Sequence, residues 1–235
     1  MSGERLGGSA AGRAGAASIT ASAKARPRVI ALADVPAQPW KNGGGLTREL
    51  LAWPSREDWA VRVSVADIER DGPFSAFPGV ARWFAVLEGE GVRLAFAEGE
   101  RVLRRGDAPL AFDGVAAPGC RLVDGPTRDL NLMLRGASGE LVPAEAGRAW
   151  RPGAAACGLF AAVAGTCRDE HGAAIDLPAF SLAWFDAAPA SLSFEPTPGV
   201  GAATASAVRG TAVIAWWIAA TPAAGAGAWR ARHTR

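Results

Sequence analysis

Two segments of the sequence combine residue types that could recognise a small anion. The first is Pro39-Trp40-Lys41-Asn42-Gly43-Gly44-Gly45, in which three glycines follow a cation and an amide. The second is Thr127-Arg128-Asp129-Leu130-Asn131, which combines a guanidinium, a carboxylate and an amide. A guanidinium offers a bidentate fork to a carboxylate, an ammonium group offers a point charge, and an amide can pair with an amide or formyl oxygen. These residue types therefore suggest binding of a small carboxylate.

The triple glycine allows two interpretations. Glycine reaches positive φ at little steric cost, so the loop could be built around a small polar ligand, but Gly-rich turns that only join strands are common and are favoured without further context. The segment is not a Walker A loop, because Lys41 precedes the glycines, and it is not a dinucleotide fingerprint, because the glycines are contiguous.

Composition and charge predict a globular protein without a general attraction to polyanions. The 235 residues are 49% hydrophobic, which is ample for a buried core. With 25 Lys and Arg against 23 Asp and Glu, the net charge of +2 gives no case for binding nucleic acid or a membrane. Cys120, Cys157 and Cys167 lack C-x-x-C spacing, and residues 1–27 lack the apolar segment of a secretory signal. We therefore expect reduced core thiols and a cytoplasmic location.

Short β-type segments separated by Gly, Pro and Asp turns predict an all-β fold. In the clearest strand, 59–66, Trp59, Val61, Val63 and Val65 alternate with Arg62 and Ser64, which places the two sets on opposite faces. Further strands are predicted at 29–32, 47–52, 83–87, 92–96, 108–112, 130–134, 159–164, 180–185, 192–194 and 211–218.

The distribution of these strands predicts two β lobes. Residues 1–27 form a Gly/Ala/Ser-rich tail that we expect to be disordered, 28–140 a first barrel with the ligand pocket, 141–224 a second and smaller lobe, and 225–235 a basic tail. A Pro/Gly/Ala-rich stretch at 136–156 is interpreted as the crossing between the lobes. Two jelly-roll lobes, or one barrel extended by a partial second, both suit this pattern.

The strand that follows Arg128 has two chemically different faces. Leu130, Leu132 and Leu134 point one way, while Asp129, Asn131 and Met133 point the other. Such alternation is also typical of a strand with one face in solvent. By itself the alternation does not distinguish a ligand-binding face from a solvent-exposed one.

The polar segments in combination resemble one family, HutD/Ves. The resemblance rests on Pro39 to Glu49, on Trp59 with Arg62 and Ser64, on Phe74-Ser75 with Phe77-Pro78-Gly79 and Arg82, and on Pro126 to Met133. It is strong over about residues 28–135 and continues weakly through Trp184-Phe185-Asp186 to about residue 218. The Ala/Gly-rich N-terminus and the Ala-rich second half depart from the family pattern.

The resemblance implies a bicupin, two jelly-roll barrels in one chain, associated in bacteria with histidine utilisation. It implies a small-ligand binder or regulator more than a catalyst, with formylated or formimino derivatives of glutamate as ligands. Metal-binding cupins bring two or three histidines into the barrel, whereas this chain has only His171 and His233 and no H-x-H pair. We therefore predict a surface His171, no metal site and no cofactor.

The predicted ligand-binding residues fall into three chemical groups, and no catalytic residue is assigned. Arg62, Arg128 and Lys41 could receive a carboxylate, while Asn42, Ser64 and Asn131 could satisfy an amide or formyl oxygen. For Trp40 and Phe74, an apolar wall beside the ligand and simple packing in the core are equally favoured interpretations. The set is completed by Gly43 and by Asp129, for which pairing with an arginine favours a structural role.

Arg48, Glu49 and Arg82 are left outside the predicted site. Arg82 either ties down the Phe77-Pro78-Gly79 turn or reaches the ligand, and the first role is favoured. Arg48 and Glu49 lie on opposite strand faces, so at most one of them points into the barrel.

Three functional hypotheses follow from these residues. The leading one is a metal-independent protein that binds a small carboxylate such as formylglutamate and modulates histidine utilisation. The alternative is a metal-free hydrolase or isomerase of an acylated amino acid or sugar acid, with Asp129 or Glu49 as base. The third is a protein that docks onto an enzyme or transcription factor. Sheet edges also permit a homodimer.

Overall fold

The computed structural model describes residues 26–199 and 213–223, which form four antiparallel sheets. The strands are β1 (Arg28–Ala31), β2 (Gln38–Pro39), β3 (Gly45–Trp53), β4 (Val61–Ile68), β5 (Gly72–Pro73), β6 (Val80–Glu88), β7 (Val92–Phe96), β8 (Gly99–Leu103), β9 (Leu110–Asp113), β10 (Gly119–Leu122), β11 (Thr127–Arg135), β12 (Ala137–Pro143), β13 (Ala156–Ala161), β14 (Gly165–Asp169), β15 (Ala174–Leu177), β16 (Ser181–Phe185), β17 (Leu192–Pro196) and β18 (Ala215–Pro222). Two 3-10 turns, Leu32–Asp34 and Gly114–Ala116, are also present, and the described residues include no helix with the length and apolar character to cross a membrane. The predicted tails lie outside the described residues, except for residues 26 and 27.

Every strand predicted from the sequence overlaps an observed one, although β4 begins at Val61 and leaves Trp59 before the strand. The strands that the sequence did not reveal include β8, β10, β12, β14 and β15. In β8, four of the five residues are exposed, so no hydrophobic alternation marks it. The predicted crossing at 136–156 contains β12, whose Ala, Ser and Gly residues hide its strand character.

Two sheets face each other to form the first lobe. One has six strands in the order β2-β3-β4-β11-β6-β9, and the other has four in the order β5-β10-β7-β8. Between them, Ile68, Phe84 and Val86 from the large sheet pack against Leu94 and Cys120 from the small one. This apolar cluster fills only part of the lobe.

A five-stranded and a three-stranded sheet form the second lobe, with strand orders β1-β16-β13-β18-β12 and β15-β14-β17. Its interior is filled by apolar side chains, among them Leu159 and Trp217 from the large sheet and Cys167 and Phe194 from the small one. Trp217 also stacks on Trp150 with ring centroids 4.9 Å apart.

The six-stranded sheet buries its leucine face, Leu130, Leu132 and Leu134, against the second lobe. These leucines belong to one apolar cluster with Phe160, Leu182, Trp184, Trp216 and Ile218 of the five-stranded sheet. The predicted alternation along β11 is thus confirmed. Because the leucine face is used between the lobes, the opposite, polar face is turned into the first lobe.

The lobe boundaries differ from the predicted ones at both ends of the first lobe. Arg28–Ala31, predicted to belong to the first barrel, pairs with β16 in the second lobe, and Ala137–Pro143 pairs with β18 in the same sheet. The reason is that β16 would otherwise present an unpaired edge of N–H and C=O groups, which β1 covers. Sequence order alone does not reveal such a crossover.

Leu132→Ala tests the packing between the lobes. The side chain is fully buried in the shared cluster, so we expect the free energy of unfolding to fall by about 2–5 kcal/mol. Val102→Ala, at a side chain that is 41% exposed, is the control and should cost about 0.5 kcal/mol or less. Urea denaturation measures both, and equal losses would contradict the burial of the leucine face.

Candidate functional site

The polar face of the six-stranded sheet borders a cavity of about 730 Å³ in the first lobe. The sheet supplies the floor, and the segments 38–42 and 73–77 supply the rim. The lining residues are Gln38, Pro39, Trp40, Lys41, Asn42, Thr47, Arg62, Ser64, Ala66, Pro73, Phe74, Ser75, Phe77, Arg82, Asp129, Asn131 and Met133.

Strand register brings the polar side chains of the floor together. Met133 on β11 lies opposite Arg62 on β4 and opposite Arg82 on β6, and Asn131 lies opposite Ser64. Residues directly opposite each other in antiparallel strands share a face of the sheet. Two arginines and two small polar groups therefore project from three strands into the same cavity.

Arg82 is a buried cation whose hydrogen bonding is incomplete. Its Nη2 donates to Asn131 Oδ1 at 2.9 Å, but Nε and Nη1 are buried without a hydrogen-bond partner. The guanidinium carbon lies 5.0–5.5 Å from the ring centroids of Phe74, Phe77 and Phe112. Burial lowers the pKa of Arg82 to about 10, so the side chain still carries its charge at neutral pH.

Asp129 is the buried acid of the cavity. The side chain is 1% exposed, and its Oδ1 accepts a hydrogen bond from Asn131 Nδ2. Burial raises the pKa of the carboxyl well above 3.8, and the attraction of Arg82 and the hydrogen bond from Asn131 offset this only in part. Asn131 therefore links the buried acid to the buried cation, with each end of its amide committed.

Arg62 lines the cavity with its charge already paired. Its Nε donates to Glu49 Oε2 at 2.7 Å, and its Nη1 lies 3.9 Å from Met133 Sδ. Glu49 thus lies on the cavity side of the sheet, where it contacts Arg62. Arg48, in contrast, donates to Asp67 Oδ2 at 2.7 Å, so the two neighbours do lie on opposite sides as alternation requires.

The rim holds its aromatic residues in fixed positions. Trp40 Nε1 donates to Thr47 Oγ1 at 2.7 Å, and the Trp40 ring meets the Phe74 ring edge-on at 6.4 Å. Both residues line the cavity and also contact the apolar cluster of the first lobe. They therefore combine the two roles that the sequence left open.

The glycines of the rim shape the loop and do not line the cavity. Gly43 has φ of 68°, and a Cβ on Gly45 would lie 2.3 Å from the Asp67 carbonyl oxygen. Asn42 Oδ1 accepts from the Gly44 amide at 3.0 Å, which closes the turn. Gly43, predicted to bind the ligand, instead allows the turn that places Lys41 and Asn42 on the rim.

Arg128, the other predicted residue outside the cavity, lies on the leucine face. Its Nε donates to Asp67 Oδ1 at 2.6 Å, its Nη1 donates to Glu88 Oε2 at 2.7 Å, and its guanidinium lies 5.5 Å from the Phe180 ring of the second lobe. Burial alone would raise the pKa of Asp67, but the hydrogen bonds from Arg128 and Arg48 outweigh it and lower that pKa. Arg128 lies outside the cavity because an even-numbered residue on β11 shares the side of the leucines.

The structure brings the other predicted residues together around the cavity. They are Trp40, Lys41, Asn42, Arg62, Ser64, Phe74, Asp129 and Asn131. The sequence analysis set Arg82 aside as a tie for a turn, whereas its side chain bonds to Asn131. The signal that could have found it is a single arginine within the otherwise apolar run 80–87.

The described residues include no group of three or more His, Cys, Asp or Glu side chains that could hold a metal. His171 lies in a turn with its side chain 68% exposed, as predicted, and His233 lies outside the described residues. Burial, reinforced by Asp129 and Asp71, raises the pKa of Cys120 to about 12, so this thiol beside the cavity stays protonated.

Known proteins resemble both the sequence and the fold. A family model described as HutD matches residues 32–199, more than half of the chain. An uncharacterised 21.2 kDa protein in the hutC 3′ region of Pseudomonas putida is 42% identical over 103 residues, and protein Ves of Citrobacter koseri is 36% identical over 103 residues. Each match covers 43% of this chain and 54% of the relative, so the chain spans about half the length of the curated relatives it matches.

Solved structures match over most of the chain. A conserved protein of unknown function from Pseudomonas aeruginosa PAO1 has a TM-score of 0.70 at 26% identity, covering 84% of this chain and 100% of that one. HutD from Pseudomonas fluorescens SBW25, in a formate condition, has a TM-score of 0.67 at 26% identity, with coverages of 83% and 98%. A Bacillus subtilis oxalate decarboxylase variant, with a TM-score of 0.54 at 9% identity and coverages of 84% and 77%, shows likeness of fold alone. The predicted all-β, cupin-like fold is confirmed, and the finer description as a bicupin stays a prediction.

Asp129→Asn tests the burial of the acid through the pH dependence of stability. In the folded protein, Asp129 keeps its proton to a higher pH than in the unfolded chain, where its pKa is about 3.9. The contribution of this group to the free energy of unfolding therefore falls as pH rises above that value. Asparagine keeps the shape without titrating. We expect the difference in stability to shift in favour of the variant with rising pH, as measured by urea denaturation from about pH 4 to pH 8.

All other titrating groups are common to the two proteins, so the difference between their profiles isolates Asp129. Parallel profiles across this range would mean that the carboxyl has an ordinary pKa in the folded protein.

Proposed function

The chain belongs to the HutD family, and from this premise we propose that it binds a small carboxylate in the cavity of its first lobe and thereby modulates histidine utilisation. The proposal assigns no catalytic step and no metal to the site. It places the protein in the cytoplasm, with neither nucleic acid nor a membrane as partner, and a homodimer through sheet edges stays a prediction.

The observation that carries the proposal is the incomplete hydrogen bonding of Arg82. A buried charge is costly unless it is paired and hydrogen-bonded. Two of the three guanidinium nitrogens of Arg82 have no protein partner, and the residue lines the cavity. A carboxylate is the anion whose planar geometry matches a guanidinium fork.

The surroundings of Arg82 strengthen such a contact. Phe74, Phe77 and Phe112 surround the guanidinium, and Arg82 is buried. Electrostatic attraction is larger in such a low-dielectric site than in water. The cavity therefore offers an anion one strong charge-assisted contact, as opposed to a diffuse positive surface.

The remaining lining suits a ligand larger than the carboxylate alone. Ser64 and Asn42 provide polar groups for an amide or formyl oxygen, while Trp40 and Met133 provide an apolar wall. Lys41 adds a second cation at the rim. An acylated amino acid such as formylglutamate carries this combination of carboxylate, amide and aliphatic groups.

The link to histidine utilisation rests on the family and on the hutC 3′ region that holds the Pseudomonas putida relative. A binder that senses a metabolite of histidine breakdown would report the flux through that pathway.

One observation favours the alternative, a metal-free hydrolase or isomerase. Asp129 is a buried carboxyl with a raised pKa, which is a feature of general acids and bases in enzymes. In that case Asp129→Asn would abolish turnover of an acylated amino acid while binding persisted. The absence of turnover by the wild-type protein under conditions of saturated binding would remove this alternative.

Arg82→Met tests the assigned anion receptor. Methionine keeps an unbranched apolar stem beside the phenylalanines and removes the charge. Loss of one partner of a buried charge pair costs about 2–5 kcal/mol, so we expect carboxylate affinity to fall by about 30-fold to several thousand-fold. Calorimetric titration measures the affinity, and thermal unfolding checks the fold.

Arg128→Ala is the matched control, because it removes an arginine from the opposite face of the same sheet. Its carboxylate affinity should equal that of the wild type. If Arg128→Ala abolished binding and Arg82→Met did not, the ligand would lie outside the cavity.

A panel of metabolites tests the ligand class. Metal-stripped protein is titrated with formate, formylglutamate, formiminoglutamate, urocanate and glutamate, and thermal stability is recorded with each. We expect formylglutamate to bind more tightly than formate, because only the larger molecule reaches both Arg82 and the rim. If no carboxylate binds or stabilises the protein, a macromolecular partner replaces the metabolite.

A further inference from the structure

We propose that an anion bound at Arg82 displaces the negative charge of Asp129, so that binding is accompanied by the uptake of a proton on this carboxyl. The inference rests on the proposed function and adds its regulation: the affinity for a carboxylate depends on pH. It assigns Asp129 the role of an internal counterion that the ligand replaces.

The geometry places acid and cation at the two ends of one amide. Arg82 Nη2 donates to Asn131 Oδ1, and Asn131 Nδ2 donates to Asp129 Oδ1. Asp129 is 1% exposed and Arg82 is 5% exposed, so water contributes little to neutralising either charge. When Asp129 is ionised, its charge and that of Arg82 balance each other without direct contact, so Nε and Nη1 of the guanidinium have no hydrogen-bond partner in the protein.

A ligand carboxylate upsets this balance. Two negative charges would then share one cation in a buried site, and like charges in such a site raise the pKa of one of them. The ligand contacts Arg82 directly, whereas Asp129 contacts it only through Asn131. Asp129 is therefore the group that becomes neutral, and the proton comes from solvent.

The environment of Asp129 already favours this outcome. Burial raises its pKa, and Asp67 on the other face of β4 raises it further, while Arg82 and the hydrogen bond from Asn131 lower it. Once a ligand takes up the charge of Arg82, the main opposing influence weakens.

The other charged or titratable groups around Asp129 do not compete for the proton. Cys120 on β10 faces it with a pKa of about 12 and keeps its own proton. Arg62 on β4 is paired with Glu49, and Arg82 on β6 keeps its charge up to about pH 10.

Two further charged groups are exposed to solvent. Lys41 on the rim is exposed. Asp71, near Cys120, accepts a hydrogen bond from the Leu122 amide and is exposed.

Calorimetry in buffers of different ionisation enthalpy measures the proton uptake directly. Wild-type protein is titrated with formate in phosphate and in Tris at matched pH and ionic strength, from about pH 6 to pH 9, where formate stays ionised. Formylglutamate is used in addition if the heat of formate is too small. We expect uptake to rise toward about one proton, and affinity to fall by up to about tenfold per pH unit, as pH exceeds the pKa of Asp129 in the empty protein.

Asp129→Asn is the diagnostic variant, because it is permanently neutral and similar in shape. It should bind formate without proton uptake, with an affinity that does not change with pH and that exceeds the wild-type value at the alkaline end. Infrared difference spectra of the wild type give a second readout, since formate binding should convert a carboxylate band into the band of a neutral carboxyl. This readout does not require the variant to fold.

The outcomes separate the two proposals. If the wild type binds formate with no buffer-dependent heat and a flat pH profile, or if Asp129→Asn takes up the same proton, the counterion exchange is wrong and the binding function stands. If the wild type binds no carboxylate at all, the proposed function fails and this inference fails with it.

Discussion

The need to bury both faces of the six-stranded sheet determines the rest of the structure. The leucine face satisfies this need by packing against the tryptophans and phenylalanines of the second lobe. The other face carries the polar side chains, because alternation along each strand sends them to the side opposite the leucines. The second lobe thus covers one face of the sheet, and the cavity lies on the opposite face.

The strand pattern was readable from the sequence because alternation of side chains is local. It placed Asp129 and Asn131 on one face correctly, and the same rule, applied one residue earlier, places Arg128 with the leucines. Arg82 was harder to assign, since its neighbours Ala81 and Trp83 say nothing of which strand lies beside it. Only the register with β11 brings Arg82 next to Asn131, and register depends on contacts far apart in the chain.

Asn131 matters in this site because its amide is used at both ends. An acid in direct contact with Arg82 would occupy the guanidinium and leave nothing for a ligand. With an amide in between, the acid lowers the electrostatic cost of the buried cation while Nε and Nη1 of the guanidinium have no hydrogen-bond partner.

The pairing of β1 with β16 has a consequence for how such proteins diverge. The chain enters through the sheet of the second lobe, builds the first lobe, and then returns to the sheet where it began. The first lobe is encoded by one uninterrupted stretch, from β2 to β11, whereas the second lobe is assembled from β1 and from β12 to β18, on either side of it. Genetic exchange can therefore pass on the first lobe as one segment, whereas the second lobe cannot be passed on alone without a new join between β1 and β12.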